Sequence, residues 1–168
     1  MWGDSIIRMW GGSSSDSQGK GLYTNIIDVL EGSTLELNEN ATITMGSDIN
    51  RSNVHHRPAY YGGGWVNVKG SGSSIVAKDP TFEAPFYMAI HDNAGVGAYL
   101  NVTDNGKVDL GGKALFIMSH NTNIIRVASG GVISNFIYRV EDGANDSSCY
   151  HNMIDIDGGK VFMDACQF

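Results

Sequence analysis

The chain has 168 residues, enough for one domain with a real core. Eleven basic against 18 acidic side chains give a net charge of -7, which excludes binding to nucleic acid through counterion release and sets the chain against anionic lipid. Only 17% of residues are charged, while glycine numbers 22 and proline three, a composition of short strands and tight turns rather than of disorder.

The first apolar segment is Ser5-Ile6-Ile7-Arg8-Met9-Trp10-Gly11-Gly12, and Thr24-Asn25-Ile26-Ile27-Asp28-Val29-Leu30-Glu31-Gly32 follows it. Both resemble Thr122-Asn123-Ile124-Ile125-Arg126-Val127-Ala128-Ser129-Gly130-Gly131 further on. Shorter copies are Trp65-Val66-Asn67-Val68, Tyr99-Leu100-Asn101-Val102 and Met153-Ile154-Asp155-Ile156. The six copies start at Ile6, Ile26, Trp65, Tyr99, Ile124 and Met153, at intervals of 20, 39, 34, 25 and 29 residues. Fixed strands with variable loops suit a solenoid, whereas propellers and strict helical repeats hold their period. No stretch keeps a helical period free of glycine for three turns, so few or no helices are expected.

Within each copy the alternation has period two. Ile7, Ile27, Val66, Leu100, Ile125 and Ile154 form one apolar column, and Met9, Val29, Val68, Val102, Val127 and Ile156 the next. Between them stand the polar residues Arg8, Asp28, Asn67, Asn101, Arg126 and Asp155. One apolar face per strand predicts half-buried strands stacked about 4.8 Å apart into a parallel sheet. A second short strand follows most copies, as in Ser33-Thr34-Leu35-Glu36-Leu37, Lys107-Val108-Asp109-Leu110 and Lys160-Val161-Phe162-Met163. Further strands are read at 114–119 and 136–140, and Phe86-Tyr87-Met88-Ala89-Ile90-His91 parallels Leu115-Phe116-Ile117-Met118-Ser119-His120. The expected fold is all-β, a right-handed parallel β-helix of about six irregular coils. It occupies 1–168 as one domain, a segment of a longer solenoid or a subunit that stacks end to end.

This pattern resembles the right-handed parallel β-helix of the pectin-lyase-like superfamily. It is similar to the solenoids of bacterial surface adhesins, autotransporter passengers and phage tailspikes or fibres. Thr34-Leu35-Glu36-Leu37-Asn38-Glu39-Asn40-Ala41-Thr42-Ile43 and Gly62-Gly63-Gly64-Trp65-Val66-Asn67-Val68 look like adhesin repeats of that sort. The resemblance implies an extracellular, cell-surface or virion-surface protein acting as adhesin or fibre. Its partner would be a host-surface glycan or receptor. The fold also hosts lyases and hydrolases, so a polysaccharide-processing enzyme with a divergent site is the alternative, and a purely architectural filament subunit the third reading.

The catalytic set of the hydrolases on that fold does not map onto this chain. Asn101-Val102-Thr103-Asp104 is present, but an Asp-Asp pair, a Gly-His-Gly and an Arg-x-Lys segment are missing. The outward Asp28, Arg126 and Asp155 read as a solvated polar face. His56, His91, His120 and His151 each precede a copy, and their turn-forming neighbours read as corner chemistry rather than metal ligation. No catalytic residue, cofactor or metal is expected. Cys149 and Cys166 read as separate thiols, with pairing left open.

Binding is placed on two features. Ile6, Ile26, Trp65, Tyr99, Ile124 and Met153 precede the inward column, so alternation turns them outward unless the strand bends there. An exposed stripe of this kind would pack copies into a homotrimer, or let Trp65 and Tyr99 contact sugar rings. The stretch 45–64 is the longest loop-like segment and gathers Arg51, His55, His56, Arg57, Tyr60 and Tyr61 in an acidic chain. The candidate ligand-binding set is therefore Arg51, His56, Arg57, Tyr60, Tyr61, Trp65 and Tyr99. A second turn-rich insertion spans 142–148. No apolar run approaches the ~18 residues of a membrane span, so no membrane insertion is expected. Met1-Trp2-Gly3-Asp4-Ser5 shows no signal peptide, which suits an excised piece of a larger protein or a virion component that bypasses Sec export. No capping helix fits either end, which suits a fragment of a longer solenoid or a subunit that stacks end to end.

Overall fold

The computed structural model describes residues 6–9, 24–39, 41–46, 63–80, 85–90, 98–119, 123–141 and 152–167. Among these residues every element is a strand and every pairing between strands is parallel. The strands are β1 (Ile6–Met9), β2 (Thr24–Leu30), β3 (Thr34–Asn38), β4 (Thr42–Gly46), β5 (Gly63–Lys69), β6 (Ser74–Lys78), β7 (Phe86–Ile90), β8 (Ala98–Thr103), β9 (Lys107–Ser119), β10 (Asn123–Ala128), β11 (Val132–Glu141), β12 (Asn152–Asp157) and β13 (Lys160–Gln167). Five strands form one sheet in the order β12-β10-β8-β5-β2. The other eight form a second sheet in the order β1-β4-β7-β9-β11-β13, with β3 joined to it through β6 and β9. From β2 onward the chain visits the small sheet, then the large one, and returns, adding one layer each time.

The repeat columns read from sequence are the registers of the small sheet. Ile26, Trp65, Tyr99, Ile124 and Met153 are successive partners, and so are Val29, Val68, Val102, Val127 and Ile156. In the large sheet Phe86 pairs with Leu115 and Ile90 with Ser119, as the likeness of those two segments predicts. Leu35, Val108 and Val161 likewise share one column. The copy at Ile6 is the exception. β1 lies on β4 in the large sheet, with Ile6 opposite Thr42 and Ile7 opposite Ile43. Its alternation is that of any half-buried strand, and the 20 residues from Ile6 to Ile26 fall short of the 25 in the shortest full repeat.

The inward side chains of both sheets meet in one core. Val66, Val68, Leu100, Val102, Ile125 and Val127 come from the small sheet, and Ile75, Phe86, Met88, Val108, Leu110, Leu115, Ile117, Ile133 and Phe136 from the large one. Each is essentially inaccessible to solvent. Burying a side chain of this size contributes about 1.5–3 kcal/mol.

Short turns lead from the small sheet into the large one. Residues 30–33, 103–106 and 128–131 each close with a backbone hydrogen bond from the fourth residue to the first, at 3.0, 2.9 and 2.9 Å. Both central residues of each have positive φ: 55° and 80° at Glu31 and Gly32, 51° and 68° at Asp104 and Asn105, 50° and 80° at Ser129 and Gly130. Two left-handed residues in sequence are the requirement of a type I′ turn. The closing residues Gly106 and Gly131 have another constraint. A Cβ at either would collide with the carbonyl of the layer beside it, Val68 for Gly106 and Val102 for Gly131. The turn after β5 has one more residue and ends on buried Ser73, whose hydroxyl accepts the Gly32 N–H at 3.0 Å.

β9 covers alone what β6 and β7 cover in the layer before. Its first residues pair with β6, and its last with β7. Between them Gly111 and Gly112 have φ of 61° and 75° and turn the strand. The Asp109 carboxylate holds the bend, accepting the Gly111 N–H at 2.9 Å and the Asn135 Nδ2 at 2.9 Å.

Leu100→Ala should lower stability by about 2–5 kcal/mol, read from the urea midpoint, because the cavity forms among side chains with no freedom to collapse. Gly131→Ala should cost more than Gly112→Ala. The added methyl meets backbone at Gly131 and nothing within 4 Å at Gly112, where only the positive φ is penalised. Equal losses would show that the close backbone approach at Gly131 costs no more than the left-handed backbone at Gly112.

Candidate functional site

The outer face of the small sheet carries the side chains that alternation turns away from the core. Its first outward column is Ile26, Trp65, Tyr99, Ile124 and Met153. Ile26 is 56% and Met153 47% exposed, with the other three half-buried between them. The column therefore faces outward along a continuous strand and not into the core at a bend. The Trp65 and Tyr99 rings stack, centroids 5.0 Å apart and planes within 8°. This follows from register, since partners on adjacent parallel strands sit one strand spacing apart. The facing sides of the two rings cover each other. A sugar has access only to the remaining faces and edges.

The next outward column is polar and largely self-paired. Asn67 donates from Nδ2 to Asp28 at 2.8 Å and accepts from Asn101 Nδ2 at 2.8 Å. Arg126 lies 3.7 Å from Asp155 one layer on. Lys69 and Asp104 make a further exposed pair at 3.6 Å. Exposed pairs of this kind contribute at most about 1 kcal/mol each. Their effect is to order a flat polar strip beside the apolar one. Asp28 and Asp155 lie at opposite edges of the five-stranded sheet, too far apart to share an ion.

Among the described residues no three His, Cys, Asp or Glu side chains gather as a metal site would require. No helix among them is long and apolar enough to cross a membrane. Trp65 and Tyr99 are the two candidate residues that the structure brings together. Arg51, His56, Arg57, Tyr60 and Tyr61 lie outside the described residues, as do His55, His91, His120, His151 and Cys149. By sequence, the loop candidates fall between β4 and β5. The strands flanking that connection and the later ones are aligned. β4, β7, β9 and β11 end in register at Gly46 with Ala89, Ile90 with Ser119, and Met118 with Glu141. β5, β8, β10 and β12 begin together at Gly64, Ala98, Asn123 and Asn152. Every connection from the large sheet back to the small one thus leaves and re-enters along the same edge of the stack.

Sequence reasoning missed three arrangements. The amide ladder had a signal, since Asp28, Asn67 and Asn101 share one column. The Asp109–Asn135 clamp had none, because the two residues pair only once a strand bends. The third is Tyr138, buried beside Cys166. Burial, and then the neighbouring thiol, push the Tyr138 phenol above its ordinary value. Cys166 is exposed and unbridged, and lies 2.9 Å from the Met163 sulfur.

A phenol whose folded value is raised contributes its full stability below about pH 10 and loses it as pH climbs through the folded value. Tyr138→Phe should flatten that alkaline fall in the urea midpoint, and an unchanged profile would assign the fall to other groups. A double-mutant cycle on Trp65 and Tyr99 should return a coupling of about 0.5–1.5 kcal/mol.

Searches against protein-family models, curated proteins and solved structures each returned no match.

Proposed function

We propose that the chain is a right-handed parallel β-helix that serves as a non-catalytic adhesin or fibre segment at a cell or virion surface. The observation that carries this reading is the alignment of strand ends on one edge of the stack. Tight turns of two to four residues join the sheets on the opposite side, where glycines abut the neighbouring backbone. The widest variation in length therefore falls on one edge, the connections inside the large sheet at 39–41 and 79–85 being shorter than the longest there. A rigid stack with variable segments along a single edge suits display, because the framework is indifferent to what those segments contain. Right-handed crossover is the rule for parallel strands returning to one sheet. The likeness to pectin-lyase-like solenoids agrees with the inward ladders and glycine turns.

The ligand in this reading is a host-surface glycan or receptor. The segment between β4 and β5 supplies Arg51, His56, Arg57, Tyr60 and Tyr61 as its contacts. Trp65 begins the next layer at the foot of that segment, with Tyr99 stacked on it. The exposed Ile26 and Met153 on the same face favour lateral packing of copies, the homotrimer being the simplest closed arrangement.

Binding to an immobilised glycan panel tests the attachment reading. The variant carrying Tyr60→Ala and Tyr61→Ala should lose at least about tenfold in affinity for whatever glycan the native chain retains, with an unchanged far-UV spectrum. Undiminished binding would discard the loop. New reducing ends or unsaturated sugars released from the panel would overturn the non-catalytic reading in favour of a polysaccharide-processing enzyme.

A further inference from the structure

Asn105–Gly106 is the one Asn-Gly bond in the sequence, and the fold sets it in the tight turn that joins β8 to β9. With no side chain on Gly106 to shield it, the nitrogen of that peptide can attack the Asn105 carboxamide carbon and close a five-membered succinimide. Closure has three requirements. The Gly106 nitrogen must lose its proton to hydroxide, the Asn105 side chain must swing onto it, and the Asn105 Cα–C bond must rotate until Cβ eclipses that nitrogen.

The folded turn withholds all three. Gly106 is buried, and its N–H donates to the Thr103 carbonyl at 2.9 Å. The Asn105 carboxamide rests on Gly130 of the next layer, its Oδ1 and Cγ filling the space that a Cβ there would need. Asn105, with φ of 68°, is the third residue of a type I′ turn. That position has ψ near zero, whereas the ring needs ψ about 120° away, the tetrahedral angle between N and Cβ viewed along Cα–C. Rotation is opposed from both neighbouring layers. The Asn105 N–H donates to the Ser129 carbonyl at 3.1 Å, the Gly106 carbonyl accepts the Val132 N–H at 2.9 Å, and the Lys107 N–H donates to the Ser73 carbonyl at 3.0 Å.

We propose that Asn105 is a self-modification site gated by the stack, inert while the turn 103–106 is closed and converted to aspartate or isoaspartate when it opens. In the open turn the deprotonated Gly106 nitrogen bonds to Cγ. The Cγ–Nδ2 bond breaks, and Nδ2 takes a proton from water and leaves as ammonia, which regenerates the hydroxide. Water then opens the imide. Cleavage between Cγ and the Gly106 nitrogen gives aspartate. Cleavage between the residue 105 backbone carbonyl carbon and that nitrogen gives isoaspartate, whose main chain runs through the side-chain methylene. One water is consumed and one ammonia released.

The two products fit the stack differently. Aspartate keeps the original backbone, and Asp104 beside it already holds a φ of 51°. Isoaspartate lengthens the main chain by one carbon directly before Gly106. Gly106 lies so close to the Val68 carbonyl that a Cβ would collide with it, so the turn has no space for the added length. An opening that ends in isoaspartate is therefore a one-way exit from the native stack.

The test ages the full chain in mildly alkaline buffer and follows the fragment containing residue 105 by mass spectrometry, with fragmentation that distinguishes isoaspartate from aspartate. Conversion should be at least about tenfold slower in native buffer than in denaturing urea, because only the open fraction reacts. Leu100→Ala, which loosens the same layer, should speed conversion in native buffer. The chain aged in urea and returned to native buffer should have a lower urea midpoint than the Asn105→Asp chain, which has the same charge without the added carbon. Equal rates in native buffer and urea, or a native rate unmoved by Leu100→Ala, overturn the gating. An aged chain that regains the midpoint of Asn105→Asp overturns the one-way exit. The outcome of the glycan panel has no bearing on any of these readouts.

Discussion

Direct register between successive parallel strands is the constraint on which the molecule depends. Once Val66 lies against Leu100, and Leu100 against Ile125, every other residue of those strands is committed to a face. A slip of one residue would carry the whole apolar set into solvent and bring Asn67, Asn101 and Arg126 into the core. Such a slip would cost several buried side chains at about 1.5–3 kcal/mol each, far more than any surface contact recovers. The outward ladders are thus consequences of the inward ones. The Trp65–Tyr99 stack and the Asp28–Asn67–Asn101 chain form because the core has already set their spacing.

This explains which parts of the fold could be read from sequence. Period-two alternation records which side chains face inward, and the columns through Ile27, Val66, Leu100, Ile125 and Ile154 follow from it without reference to any loop. The pairing of Phe86 with Leu115 was legible from the likeness of the segments that begin there. Alternation does not say which sheet a strand joins. β1 repeats the pattern of Ile124 to Val127 but lies in the other sheet, and only its short distance from β2 distinguishes it. Bends were illegible as well. β9 turns at Gly111 and Gly112 through a carboxylate on Asp109 and an amide on Asn135, which come together only when the layers stack.

The candidate site was legible to a smaller extent. Trp65 and Tyr99 could be placed on one outward column because they hold the same position in successive copies. Their parallel stacking could not, since it depends on rotamers chosen by packing. It also narrows what the pair can do, as each ring covers one face of the other. The polar column likewise spends most of its hydrogen-bonding capacity within itself. In the attachment role proposed above, both effects shift the weight of recognition from the sheet face toward the segments that connect the layers. Those segments have no periodicity, and sequence offers only their composition.

The enclosed middle of the stack also bears on how the molecule closes. In a one-dimensional array each layer is held by its neighbours. The layers of β8 to β11 have a paired strand on both sides, two type I′ turns in succession and a fully buried core around Leu100, Val102, Ile125 and Val127. They form the natural nucleus, and amide protection from hydrogen exchange should be greatest in β8 and β10.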